Sequence, residues 1–399
     1  MSSENGPTPP SERIVALDAL RGFALLGILV INIRLFSMPE IVLSNPTAYG
    51  DFTGPNYWAW FVGHVLAEQK FITLFTILFG GGLLLFTRNA EKKGKEPLTL
   101  FFKRSGWLVA FGLVHAYALW YGDILVAYGV TAFFVVFLRD HDVRSLLGIA
   151  VVLLAIPSLT EVSVALTSEA SQLASSLDPA ASVLQSEIET YQSGWVEQLD
   201  HRVSTSFRRQ TQGYLGYTFW RVAGAMVLGM ALFKQGILTN ERSSTFYRRL
   251  MLAGGVAGLS LTLAGVAFIE ANEWAIDSIL YWQQFNYWGS FLLAGGYIGA
   301  IMLFSRRFAD GVVTKGLAAV GRTAFSNYIL QTVVATTIFY GHGLGQFGQV
   351  TRVEALSLVV IIWLVQIPLS VLWLRYFRFG PMEWLWRLVT YESVPPLRR

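Results

Sequence analysis

A chain of 399 residues with 53% hydrophobic side chains, 14% charged ones and a net charge of +4 has too little polar material to coat a water-soluble particle of its size. The missing solvent is lipid, and the mild basic excess, gathered in alternate connections, reads as an orientation signal and excludes a nucleic-acid footprint. The absence of cysteine excludes disulfides, thiolate metal sites, iron–sulfur clusters and a cysteine nucleophile.

The pattern predicts an all-α polytopic integral membrane protein. Residues 1–13 form a polar, Pro-containing tail that lacks the basic and apolar regions of a removable signal peptide. Apolar stretches then recur at 14–33, 71–86, 107–120, 124–138, 146–159, 215–233, 250–269, 287–304, 317–340 and 355–376. At about 1.5 Å per residue against a hydrocarbon core of about 30 Å, they predict about ten crossings. The short run 71–86 borrows interfacial neighbours such as Trp58, Trp60 and Phe61.

Loop charge sets the orientation, because short cytoplasmic connections hold excess Lys and Arg. Arg88, Lys92, Lys93, Lys95, Lys103 and Arg104 lie in the second connection, Arg139 and Arg144 in the fourth, Lys234, Arg242, Arg248 and Arg249 in the sixth, and Arg306, Arg307 and Lys315 in the eighth. The tail adds Arg375, Arg378, Arg387, Arg398 and Arg399, which puts both termini in the cytoplasm. The chain then divides into a cytoplasmic tail (1–13), an N-terminal membrane half (14–159), an extracytoplasmic insert (160–212) and a C-terminal membrane domain (213–399). The insert, rich in Ser, Ala, Glu and Gln, reads either as a helical cap over the outer mouth or as a tether on the headgroups. From Gly380-Pro381 onward, Trp alternates with charge as in an interfacial helix.

Ionisable groups within spans are costly and therefore mark candidate sites. Asp18 and Arg21, three residues apart on the first helix, form either an anchoring pair or part of a donor site. His115 precedes the turn Trp120-Tyr121-Gly122-Asp123; Asp123 can cap the following helix and, if the two helices are neighbours, orient the imidazole as a general base requires. The plain alternative for His115 is a buried hydrogen-bonding residue. His64, Glu68 and Lys70 make a polar rim before the second span, with His64 and Glu68 on one helical face. Arg221 either snorkels or holds an anionic group. Thr323, Asn327 and Gln331 repeat every four residues, a stripe that either bonds neighbouring helices or lines a cavity. Two motifs are refused: Gly343-Leu344-Gly345-Gln346-Phe347-Gly348 follows no strand and reads as a flexible outer turn, and Gly80-Gly81-Gly82 lacks a P-loop lysine and reads as a helix contact.

The segments Leu17-Asp18-Ala19-Leu20-Arg21-Gly22-Phe23, Lys70-Phe71-Ile72-Thr73-Leu74-Phe75, Gly112-Leu113-Val114-His115 with Trp120-Tyr121-Gly122-Asp123, Gly321-Arg322-Thr323-Ala324-Phe325-Ser326-Asn327 and Gly380-Pro381-Met382-Glu383-Trp384 together resemble the YeiB family of bacterial inner-membrane proteins. The N-terminal half is similar to the transmembrane acyltransferase superfamily, whose members pass acyl groups from a cytoplasmic donor across the membrane with an embedded histidine. The resemblance implies a multi-pass protein of the bacterial cytoplasmic membrane that moves an acyl group, with acyl-CoA as a donor substrate, to an acceptor at or beyond the outer face. His115 and Asp123 are then the catalytic candidates, and Asp18, Arg21, His64, Glu68, Lys70, Arg221 and Asn327 the substrate-binding ones. The expected partners are membrane lipids and a small-molecule or lipid substrate, with no metal, no bound cofactor and no nucleic acid. The rival reading is a transporter or exporter of such a substrate.

Overall fold

Residues with every side apolar cannot hide from water in a chain this poor in charge, and the computed structural model shows how they are arranged for residues 14–399. The tail expected over 1–13 lies outside those residues. Among the described residues the regular structure is helical: α1 (Val15–Ser37), α2 (Gly54–Leu66), α3 (Lys70–Lys92), α4 (Pro97–Val114), α5 (Leu125–Val135), α6 (Val143–Thr167), α7 (Ala170–Leu177), α8 (Ala181–Gln192), α9 (Leu199–Arg208), α10 (Phe219–Lys234), α11 (Ser244–Ala271), α12 (Ile276–Arg307), α13 (Val312–Arg322), α14 (Ala324–Phe339), α15 (Arg352–Tyr376) and α16 (Pro381–Tyr391). Two π-helical turns, His115–Leu119 and Arg209–Thr218, continue α4 and join α9 to α10.

Among the described residues, seven helices are long and apolar enough to cross a bilayer: α1, α2 with α3, α6, α9 with α10, α11, α12 and α15. Leu125–Leu138 and α14 are shorter apolar helices. Val151 and Val152 on α6, Leu252 and Val256 on α11, and Leu364 and Val365 on α15 face outward, each more than half exposed, as lipid-facing side chains must be.

The apolar run 317–340 reads as one span in the sequence, but the structure divides it at Thr323. The cause is packing from both sides. Gly321 lies against α1, where an added Cβ would strike the Asp18 carbonyl oxygen, and Gly22 meets Leu317 in the same way. Past the break, the free N–H groups of Phe325 and Ser326 donate to Glu383 Oε1 of α16 at 2.6 and 3.2 Å, so the new helix is capped from another element. The triple glycine of α3 is a helix contact: a Cβ on Gly80 would strike Met226 O, and one on Gly229 would strike Ile77 O.

Connections rich in cations meet at one end of the bundle. Arg139 pairs with Glu91 at 3.3 Å, Lys234 donates to His141 O at 2.6 Å, and Arg306 donates to Asn240 O at 2.6 Å. The remaining connections meet at the other end, under the insert. There Leu173 and Leu177 of α7 pack with Trp60 and Trp282, while Ile188 and Tyr191 of α8 pack with Trp120, Tyr121, Phe339 and Phe347. Of the two readings of the insert, the packed cap is the one the contacts describe. The glycine turn at 343–348 is also pinned: Phe347 is fully buried, and Gly348 donates to Ser37 O at 2.8 Å.

Candidate functional site

The helix pair α2–α3 bends at Ala67-Glu68-Gln69, where Gln69 adopts a positive φ of 64°. The bend carries His64, Glu68 and Lys70 to one point. The His64 ring is sandwiched between Trp60 and Trp282, with centroids 5.1 and 5.0 Å away, so only its edges remain available. Its Nδ1 lies 3.3 Å from Glu68 Oε1 without the alignment of a good hydrogen bond, and its Nε2 has no partner. Glu68 faces Arg34 Nη1 at 3.6 Å and accepts from Asn286 Nδ2 at 3.3 Å. Arg34 reaches in from the far end of α1, donates to Ala59 O and Trp60 O at 3.3 and 3.1 Å, and needs Gly63, whose Cβ position the guanidinium occupies. Lys70, fully buried, donates to His64 O at 2.7 Å and to Asn286 Oδ1.

The second histidine is held in the opposite manner. The π turn after α4 has a wide bore, and its carbonyls find partners on the following segments: Ala116 O takes Ser206 Oγ at 3.0 Å, Tyr117 O takes Arg202 Nε at 2.8 Å, and Ala118 O takes Trp195 Nε1 at 2.7 Å. This fixes His115, whose Nδ1 is 2.7 Å from Asp123 Oδ2 and whose Nε2 is 3.0 Å from Thr332 Oγ1. Asp123 Oδ1 also accepts from Val126 N–H at 2.8 Å, so this carboxylate both caps α5 and orients the imidazole.

A cavity of about 760 Å³ lies beneath the insert, with His64 and Glu68 on its wall together with Asp123, Glu161 and Arg221. Arg221 Nη2 donates to Thr73 Oγ1 at 2.8 Å and Ser290 Oγ at 3.1 Å, and its guanidinium lies over Tyr287, 5.0 Å from the ring centroid. At the rim, Arg209 pairs with Glu40 and lies over Tyr121, and the Glu40 N–H donates to Glu187 Oε1 at 3.1 Å. Burial, reinforced by the Glu40 carboxylate, pushes the Glu187 carboxyl up to about 7.

The structure thus brings His64, Glu68, Asp123 and Arg221 to one wall, with Lys70 bonded to the His64 main chain and His115 behind Asp123. It does not bring Asp18, Arg21 or Asn327 there. Asp18 and Arg21 pair at 3.0 Å on α1, and Asn327 donates to Thr323 Oγ1 and Ser370 Oγ, each at 2.9 Å, in a network that ties α14 to α15. Sequence reasoning missed Arg34, Asn286, Trp282, Thr73 and Glu161. Arg34 carried the clearest signal, a charge one residue past the end of the first apolar run.

The family profile "Protein of unknown function (DUF418)" matches residues 232–393. The protein "Uncharacterized protein YeiB" of Escherichia coli K12 is 34% identical over 96% of this chain and 98% of its own length. The chain belongs to the YeiB family. Within that family, "Uncharacterized protein YxaH" of Bacillus subtilis 168 is 30% identical over 98% of both chains. A further relative of this chain, "Uncharacterized 39.9 kDa protein in amylase 3'region" of Bacillus acidopullulyticus, is 24% identical over 98% of this chain and 97% of its own. No solved structure matches significantly.

Proposed function

We propose that this protein is a multi-pass acyltransferase of the bacterial cytoplasmic membrane that crosses about ten times with both termini inside, its capped cavity facing outward. The gathering of all cation-rich connections at one end supports that orientation. Reporter fusions at Thr245 and Arg399 should read cytoplasm and a fusion within residues 172–189 the exterior; a cytoplasmic signal from the insert overturns the assignment.

The observation that carries the chemical reading is His64: a buried ring on the cavity wall with one nitrogen unpartnered and a carboxylate at the other. His64 Nε2 takes the proton of an acceptor hydroxyl or amine, the acceptor atom attacks the donor's thioester carbonyl, and the C–S bond breaks as the thiolate leaves and is protonated. Glu68 stabilises the imidazolium, with the Arg34 guanidinium 3.6 Å from its other oxygen. His115 with Asp123 is the competing assignment for the base. Purified protein with labelled acyl-CoA and a membrane extract tests both: His64→Ala should lower transfer about a hundredfold or more while the protein stays folded. Loss in His115→Ala with His64→Ala unimpaired moves the base to His115. The buried cluster of Arg34, Glu68 and Lys70 also suits a transporter's ion path, and vectorial movement of substrate by a folded parent that transfers no label from any donor replaces the acyltransferase reading.

A further inference from the structure

We infer that the cavity's substrate is an amphiphile with an anionic headgroup, a phosphate or carboxylate on a hydrocarbon tail, held by Arg221. This rests on the cavity being the reaction site proposed above, and it adds the substrate class.

The first support is the way the charges are held. Each acidic group but one on the cavity wall already has a cation or a ring partner: Glu40 has Arg209, Glu68 has Arg34, and Asp123 is held by the His115 ring and the Val126 N–H. The exception, Glu161, accepts from Gln284 Nε2 at 2.6 Å and feels the charge of Arg221 from beyond ion-pair distance. Arg221 is the reverse case. Its hydrogen-bond partners Thr73, Ser290 and Tyr217 are neutral hydroxyls, its plane lies over Tyr287 and Phe291, and among the described residues it has no carboxylate at ion-pair distance. Hydroxyls and ring faces orient a guanidinium without neutralising it, which leaves its fork free for an oxyanion.

The second support is the rest of the wall. Ile28, Ile31, Leu35, Ile72 and Val222 give the cavity an apolar side that a free inorganic anion would not use. About 760 Å³ accommodates a headgroup and the first part of a chain, not a whole phospholipid, so the tail must leave the cavity. The π-helical segment Arg209–Thr218 supplies the exit. Gln212, Gly213, Tyr214 and Tyr217 line the cavity, yet none of the segment's residues is buried, and Leu215 on it is 67% exposed. The wall there is a stretch of the rare π-helical form, exposed along its length and carrying two glycines.

Binding can be measured apart from turnover. The full chain in detergent would be titrated with dioleoyl phosphatidic acid, with dioleoylglycerol, which has the same chains and no charge, and with inorganic phosphate. Native mass spectrometry would give stoichiometry and affinity. The phosphatidic acid should bind as one tight copy, about tenfold or more above either control, and Arg221→Gln should remove most of that preference. Ile31→Trp, which fills the apolar side and leaves Arg221 in place, should weaken the phosphatidic acid and leave the weak binding of phosphate unchanged. Equal binding of dioleoylglycerol overturns the anionic headgroup, and phosphate binding as tightly as the lipid overturns the amphiphile. Several equivalent lipid copies, unchanged in folded Arg221→Gln, would show a surface annulus only and overturn the site. Tight single-copy binding in a protein that transfers no acyl group leaves the substrate class standing and removes the reaction.

Discussion

The two embedded histidines differ in what their surroundings leave undone. His115 has an oxygen at each ring nitrogen, and its neighbour Asp123 does two jobs at once. His64 has aromatic faces above and below, an imperfectly aligned carboxylate at one nitrogen and nothing at the other. A ring with both nitrogens partnered is held in one orientation, and an incoming acceptor reaches its Nε2 only by replacing or engaging the Thr332 hydroxyl. A ring with a nitrogen unpartnered carries an unpaid desolvation cost that a bound acceptor can relieve. The same residue type at similar burial therefore meets a ligand in two different states, and the difference lies in the partners.

Mutation can break that contrast. Arg34→Ala should have the largest effect, about 3–5 kcal/mol of stability, since it strands Glu68 without its cation; thermal unfolding in detergent reads it, and a midpoint like the parent's would show that Glu68 does not need Arg34. His115→Ala comes next. Removing two buried hydrogen bonds should cost about 1–3 kcal/mol of stability while transfer per folded molecule stays within a few fold of the parent. A normally stable His115→Ala protein with no activity would erase the distinction between the two rings.

The smallest effect concerns the cap over both rings. A Glu187 carboxyl raised to about 7 binds its proton more tightly folded than unfolded, so its contribution to the cap is full at low pH and is lost as pH climbs through about 7. Beyond that point the charge faces Glu40, although Arg208 and Arg209 stand close by. Proteolysis or hydrogen exchange in α8 should therefore quicken modestly above pH 7 in the parent. Glu187→Gln should flatten the profile, and an unchanged profile in that variant would locate the titration elsewhere.

Much of this was legible in the sequence. The four-residue step from His64 to Glu68 and the Trp-Tyr-Gly-Asp turn carried local information, because helical spacing and capping act over a few residues. The stripe of Thr323 and Asn327 could be read as helix glue or as a cavity lining, and Ser370 on α15 decides for glue. What stayed hidden was the work of distant partners. Asn286 meets Lys70 across 216 positions, and no periodicity within either helix announces that. The ends of the spans were hidden in the same way: among the described residues seven helices are long and apolar enough to cross, and Leu125–Leu138 and Ala324–Phe339 are shorter apolar helices. Trp107–Trp120 ends in a π turn and 317–340 is cut by contacts from α1 and α16, features that an apolar count cannot register.

The Glu383 cap has a consequence for how the protein is made. Phe325 and Ser326 lie near the start of a helix that enters the membrane during synthesis, yet the carboxylate that takes their N–H groups is encoded 58 and 57 residues later. Until the last helix leaves the ribosome, α14 must wait with its first turn open, held by water or by the insertion machinery. Closing that first turn therefore follows the synthesis of α16, and the Glu383 contact acts as a latch between the two helices.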